Sequence, residues 1–156
     1  MVSKLWSMFV LVAAVAWMAA CSSVNAGNGA GSPPATSHGN PVGDYVSLVD
    51  KLRGSGAKVE PAGKLSQPFF KVEAQLIKVN SHDVQVFEYA NPAEAEAEAT
   101  LVSASGSAIG TSMVDWIAAP HFYKRGRLIV LYVGTDAQII NLLESALGAQ
   151  FAGRKS

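Results

Sequence analysis

The sequence has one cysteine among 156 residues, which excludes an intramolecular disulfide and any zinc site built from several cysteines. It also has no excess of charge, because 12 Lys and Arg balance 12 Asp and Glu, and this argues against nucleic acid as a partner. The motifs of phosphate-binding loops, zinc proteases, serine-hydrolase elbows and EF-hands are absent. The sequence therefore predicts location and architecture better than activity, and it predicts no metal and no cofactor.

The N-terminal segment has the pattern of a signal peptide. Lys4 is its only charged residue, and residues 5–20 are apolar apart from Ser7. Sixteen helical residues reach roughly 24 Å, which is short of a hydrocarbon core of about 30 Å. No cationic residues directly follow the apolar segment, so it lacks the stop-transfer signal of a membrane span. Residues 1–20 are therefore predicted to be a signal peptide rather than a membrane span.

The single cysteine, Cys21, lies where the apolar segment ends, directly after Met18, Ala19 and Ala20. This arrangement resembles the lipobox of bacterial lipoproteins, in which the thiol of the first mature residue carries a diacylglycerol. The resemblance implies cleavage before Cys21, lipidation of Cys21, and anchoring to the cell membrane or outer membrane on the extracytoplasmic side. Two or three acyl chains suffice for stable anchoring. An ordinary secretory signal with a chance cysteine and a transmembrane anchor are the alternatives.

A tether of low complexity follows the cysteine. Residues 21–43 contain no charged side chain and are dominated by Gly, Ser, Asn and Pro. Such a segment buries too little apolar surface to offset its ordering entropy. A flexible chain of this length has an end-to-end distance of roughly 25–28 Å. We therefore expect this segment to be a flexible tether between the lipid anchor and a folded domain.

Residues 44–156 are predicted to be one globular domain. Capping patterns and helical periodicity indicate helices that start after Asp44, after Asn91 and near Thr135. Alternating and apolar runs predict strands at residues 58–60, 70–76, 84–89, 113–117, 121–123 and 127–133. The strand before Pro61 is expected to stop there. The run at 128–133 is apolar throughout, so we expect a central strand covered on both faces.

The domain also shows a repeat of architecture. A shift of 44 residues places the turn at 80–83 on residues 124–127 and the helix start at 91–94 on residues 135–138. Two ββα units are therefore plausible. Paired together, they predict an α+β fold: an antiparallel sheet with an extra N-terminal helix and with helices packed on one sheet face.

The folded part resembles a domain found in bacterial lipoproteins of unassigned function. The resemblance lies mainly in the run from Gly110 to Gly134 and in residues 150–153, Gln-Phe-Ala-Gly. It implies location and fold. It implies no catalytic residues.

The densest cation cluster after the signal peptide lies in one predicted hairpin turn. It comprises Lys124, Arg125 and Arg127, and Phe122 and Tyr123 precede it. We interpret these five residues as a candidate interaction surface for an envelope protein or an anionic surface. The alternative is a solubilising hairpin tip that protects a sheet edge.

Other chemistry-bearing residues give weaker patterns. Ser112, Asp115 and His121 include the residue types of a hydrolase triad, but nothing fixes a nucleophile elbow or an oxyanion hole. Trp116 could belong to the core or could stack on a ligand.

Two possible metal sites are also weak. Glu94 and Glu98 share a helix face while Glu96 points away, which favours a solvated helix surface. His82 and His121 could meet only if both hairpin tips point the same way.

The leading hypothesis is a lipid-anchored, non-enzymatic domain of the binding or envelope-interaction type. An envelope hydrolase using Ser112, Asp115 and His121 and a carrier of a small apolar ligand are the alternatives.

Overall fold

The computed structural model describes residues 41–154. The predicted signal peptide, Cys21 and nearly all of the predicted tether lie outside the described residues. The described helices are α1 (Tyr45–Gly54), α2 (Pro92–Ala99) and α3 (Ala137–Leu147). The strands are β1 (Val59–Leu65), β2 (Ala74–Val79), β3 (His82–Glu88), β4 (Ala108–Ile109), β5 (Ser112–Met113), β6 (Pro120–Arg125), β7 (Leu128–Val133) and β8 (Ala152–Gly153).

Six of these strands form one antiparallel sheet in the order β1-β2-β3-β7-β6-β8, and β4 pairs with β5 in a small separate hairpin. The α+β class is confirmed. The two ββα units are β2-β3-α2 and β6-β7-α3, and they join through the β3–β7 pair. Each hairpin turn uses positive φ angles, at Asn80 and Ser81 in the first unit and at Gly126 in the second.

The central strand β7 is covered on both faces, as its apolar run predicts. Leu128, Val130 and Tyr132 lie on the face that packs against α1 and α3, which we call the first face. Ile129 and Leu131 lie on the opposite, second face. Alternation along a strand sends neighbouring side chains to opposite faces, so both faces of this sheet are apolar.

The placement of α2 corrects the expectation that the helices pack on one sheet face. Ala95 and Ala99 of α2 contact the second face, opposite to α1 and α3, and Ile109 of the β4–β5 hairpin joins them. The physical reason is the apolar second face itself, which one helix and the small hairpin must cover. The small alanine side chains let α2 approach the sheet closely.

Helix starts follow the predicted capping chemistry with one shift. Asp44 accepts a hydrogen bond from the Ser47 backbone N–H at 2.8 Å, and the Ser47 hydroxyl completes a capping box. The hydrogen bonds from Ser47 lower the pKa of Asp44. Asn91 caps α2, with Pro92 at the first helical position. At α3 the cap is Asp136 rather than Thr135.

Three of the predicted strands have bounds that differ clearly from those observed. β1 continues through Pro61 to Leu65, because it is an edge strand and its register shifts between Pro61 and Gly63. β2 starts at Ala74, later than expected. The strand expected at 113–117 is limited to the short β5, and an irregular loop follows it. Within residues 41–154, no helix has the length and apolarity needed to cross a membrane.

Candidate functional site

The two aromatic residues of the expected interaction surface belong to the core. Phe122 and Tyr123 are both fully buried in β6. Phe122 packs into the second face, whereas Tyr123 packs into the first face. Burial raises the pKa of Tyr123, and the nearby carboxylate of Glu144 adds to this effect. Neither ring can offer aromatic surface to a partner.

The cations of the same surface are mostly neutralised within the domain. Lys124 forms an ion pair with Glu96 of α2. Arg127 pairs with Glu88 at 2.9 Å. Arg125 is exposed and has no ion-pair partner among residues 41–154. The turn therefore presents a single uncompensated cation rather than a basic cluster.

The three residues of the hydrolase hypothesis are not joined by hydrogen bonds. His121 is buried in β6, where its Nδ1 lies 2.7 Å from Oε1 of Gln150 and its Nε2 lies 3.1 Å from the carbonyl oxygen of Gly134. Ser112 lies in the β4–β5 hairpin, and Asp115 is exposed in the loop after it. Since both ring nitrogens of His121 already have partners, it is not placed to activate Ser112 as a base.

The two histidines considered for a metal lie on either side of one tyrosine. The ring of His121 stacks on Tyr132 with centroids 6.0 Å apart, and the ring of His82 meets Tyr132 edge-on at 6.2 Å. His82 Nε2 also lies 3.6 Å from a carboxylate oxygen of Asp136. In the described part of the chain, no group of three or more His, Cys, Asp or Glu is arranged to hold a metal ion.

The α2 carboxylates differ from the expected solvated helix face. Glu94 is exposed, and Glu96 pairs with Lys124. Glu98 is buried and forms an ion pair with Lys71 at 2.8 Å. The expected shared direction of Glu94 and Glu98 is correct, because both line one small pocket.

An open cleft lies beside the loop that precedes β6. Its volume is about 530 Å³. It is lined by residues from three separate parts of the chain: Ser105, Ser107, Val114, Asp115, Trp116, Ala118, Ala119, Pro120, Gly153 and Arg154. We call it the Trp116 cleft. The pairing of β8 with β6 places Gly153 and Arg154 in the wall of the cleft.

A fixed indole forms one wall of this cleft. The Nε1–H of Trp116 donates a hydrogen bond to the carbonyl oxygen of Gly106 at 2.7 Å. The indole also meets Phe69 and Phe122 edge-on, with ring centroids 6.0 and 5.9 Å away. These contacts hold the ring in one orientation, so a ligand that contacts it need not order it first.

The polar groups of the cleft carry both signs of charge. Asp115 contributes a carboxylate and Arg154 a guanidinium, while the hydroxyls of Ser105 and Ser107 lie 2.7 Å apart. Such a set can donate and accept hydrogen bonds and can bind groups of either charge.

Exposed apolar side chains lie beside the cleft residues, at the end of β5 and in the loop that follows it. Ile117 is 100% exposed and Met113 is 81% exposed, and these are the two most exposed large apolar residues within 41–154. They flank the cleft residues Val114 and Trp116 in sequence. Exposed apolar side chains beside a concave site are typical of a binding surface.

Compared with known proteins, the chain matches no family model, and no curated protein or solved structure is significantly similar to it. The functional assignment therefore depends on the residues and on their geometry.

Sequence reasoning identified Trp116 but missed the cleft around it. Arg154 is distant in sequence from Ser105 and Ser107, and the three residues carry no motif. Trp116 is the single tryptophan after the predicted signal peptide, and this rarity is the feature of the sequence that points to the cleft. The lipidation of Cys21 and the anchoring stay predictions, since they concern residues outside the described range.

Proposed function

We propose that this protein is a lipid-anchored extracytoplasmic domain that binds a partner protein of the cell envelope through the Trp116 cleft. The proposed anchor is the acylated thiol of Cys21, at the end of a signal peptide over residues 1–20. The observation that carries the binding role is the cleft itself, where a fixed indole lies beside the exposed side chains of Ile117 and Met113. Tryptophan and methionine are enriched in the cores of protein interfaces, as is arginine.

The charges favour a protein over an anionic surface. The cleft contains one carboxylate and one guanidinium, from Asp115 and Arg154, so it has no net formal charge to attract a polyanion. In the turn after β6, Lys124 and Arg127 are already paired with carboxylates, which leaves Arg125 alone. A mixed surface of this kind complements a partner that offers both apolar and charged side chains.

The position of the cleft supports the same proposal. The backbone N–H of Arg127 donates to the carbonyl oxygen of Gly43, so the start of the domain lies at the β6–β7 turn. The cleft loop enters β6 at Pro120, at the other end of this strand. The six residues of β6 separate the two ends by about 17 Å. A tether joined at Gly43 is thus attached away from the cleft.

No observation favours the other two hypotheses. The contacts of His121 give no support to a hydrolase that uses Ser112 and Asp115. A carrier of an apolar ligand would need an apolar cavity, whereas the Trp116 cleft and the small pocket lined by Glu94 and Glu98 both have charged side chains in their walls.

The first test concerns the anchor. Mass spectrometry of the membrane fraction should find an N-terminal peptide that starts at Cys21 and carries the added mass of a diacylglycerol. The Cys21→Ser variant should remain unprocessed and should lack this mass, because a hydroxyl does not replace the thiol nucleophile. Recovery of a soluble, unmodified chain that starts at another residue would contradict the lipoprotein assignment.

The second test concerns the cleft. A photo-crosslinking amino acid placed at position 117 of the full-length protein should give a discrete protein adduct in a bacterial host. The same residue at position 46 is the matched control, since Val46 is also exposed, at 65%, but lies on α1 away from the cleft. Trp116→Ala should weaken binding about 30-fold, the effect of losing an aromatic anchor worth about 2 kcal/mol.

A charged residue introduced beside the cleft provides a further test of the same binding surface. Ile117→Glu should reduce the adduct formed from a crosslinker placed at position 113, whereas Val46→Glu should leave it unchanged. Equal adducts from positions 46 and 117, or adducts with lipid alone, would refute the proposed protein partner.

A further inference from the structure

A second, smaller pocket lies between α2 and the segment that joins β1 to β2. Its volume is about 200 Å³, and it is lined by Lys71, Val72, Tyr89, Glu94, Ala97 and Glu98. It shares no lining residue with the Trp116 cleft. We call it the Tyr89 pocket. Nothing in the proposed function uses it.

The phenol of Tyr89 is a buried polar group without a partner. The residue is only 3% exposed, and its hydroxyl makes no hydrogen bond within the domain. Burial raises the pKa of Tyr89, and the charge of Glu98 raises it further, so the hydroxyl keeps its proton at neutral pH. An unpaired buried hydroxyl is unfavourable, and a phenol can both donate and accept a hydrogen bond.

The pocket also contains a buried carboxylate that forms an ion pair with a lysine on the protein surface. Glu98 is 3% exposed, yet its ion-pair partner Lys71 extends from the surface, and the lysine side chain is mostly exposed. The hydrogen bond to Glu98, and then its charge, raises the pKa of Lys71. Glu94 lies one helical turn before Glu98 and lines the same pocket.

The charges and donors of this pocket select one class of ligand. Two carboxylates and one ammonium, from Glu94, Glu98 and Lys71, leave a formal charge of −1, which disfavours anions. An alkylammonium has three N–H donors, so it can donate to the carboxylate of Glu98 and to a second acceptor, and the phenol oxygen of Tyr89 is an unpaired acceptor in the same lining. Val72 and Ala97 supply apolar wall for its carbon chain.

We propose that the Tyr89 pocket binds the primary ammonium group of a small aliphatic amine, and that Lys71 is a built-in competitor which the ligand displaces from Glu98. The lysine is suited to this role because it forms the same ion pair that an incoming amine would form. Its long exposed side chain can leave the pocket without disturbing the sheet.

The direct test is calorimetric titration of the purified full-length protein with n-butylamine hydrochloride. We expect saturable binding by the unmodified protein. Lys71→Met keeps an apolar side chain but removes the competing cation, and we expect it to bind butylamine about tenfold more tightly. Butanol, which has the same carbon chain without the charge, should not bind to either protein.

Two further variants assign the contacts. Glu98→Gln should abolish butylamine binding, whereas Glu96→Gln, on the same helix but outside the pocket, should leave it unchanged. Tyr89→Phe should weaken it about two- to tenfold, the range for one hydrogen bond. Circular dichroism of each variant without ligand checks that it is folded.

Two of the outcomes that would overturn the proposal need only the unmodified protein, so they do not depend on the folding of a variant. Absence of saturable butylamine binding, or equal binding of butanol, would exclude an amine site. Binding that survives Glu98→Gln would place the amine elsewhere.

Discussion

Phe122→Ala is expected to lower the free energy of unfolding by about 3–5 kcal/mol, a large part of the total for a domain of this size. Phe122 is fully buried on the second face, and its ring contacts the rings of Trp116 and Phe151. Truncation removes these contacts and leaves a cavity that the β6 backbone cannot fill. Urea unfolding followed by circular dichroism measures the effect.

The matched control is Arg125→Ala, three residues along the same strand. Arg125 is exposed and has no ion-pair partner among residues 41–154, so the change should stay within about 0.5 kcal/mol. A near-neutral Phe122→Ala would instead support the surface role that the sequence suggests for this residue. The pair of variants thus separates a core residue from a binding residue.

Gly153→Ala is expected to destabilise the domain by about 2–5 kcal/mol. Gly153 has a φ of +102°, which an alanine adopts only with strain. An added Cβ would also overlap the carbonyl oxygen of Pro120 and would lie 2.8 Å from its carbonyl carbon. Both atoms belong to the backbone of β6, so β8 must move away from β6. Urea unfolding gives the loss, and hydrogen exchange at Arg154 reports on the β8–β6 edge.

Gly148→Ala separates the two causes. Its φ is +93°, close to that of Gly153, but an added Cβ would meet nothing within 4 Å. This control should show the backbone strain alone, about 1–3 kcal/mol. If Gly153→Ala costs no more than Gly148→Ala, the close approach of β8 to β6 does not limit this position.

Local chemistry explains which parts of the fold the sequence predicted well. The starts of α1 and α2 depend on Asp44 and Asn91, whose side chains cap the nearby backbone, and both are found as expected. The ββα repeat was visible for the same reason, because each turn and cap involves a few consecutive residues. The apolar run of β7 correctly indicated a central strand.

Long-range features were harder to predict. The face on which α2 packs depends on the second face of the whole sheet, and no window around Ala95 contains that information. Their position before a basic turn suggests a surface role for Phe122 and Tyr123, yet both are buried. The predicted hairpin pairs them with the apolar β7, as the structure confirms, but the helices and the small hairpin that cover the two faces come from distant parts of the chain.

The candidate site shows the same limit. Trp116 could be singled out as a rare residue, but Arg154 reaches the cleft only because the chain returns along β6 after α3. The Tyr89 pocket depends on the burial of Glu98, and a helix rich in glutamate predicts the opposite. Sequence spacing could place Glu94 and Glu98 on one face but could not say what that face contacts.

The position of β7 has a consequence for the order in which the protein is made. The strand at the centre of the sheet, β7, is among the last to be synthesised. Until then β3 has no β7 strand with which to pair. A nascent chain that ends before Pro120 has three of the six strands of the main sheet and lacks β7, so it cannot complete either core. The proposed signal peptide emerges first. The sheet is therefore still incomplete when the proposed signal peptide is exposed, and the proposed export across a membrane would require an unfolded chain.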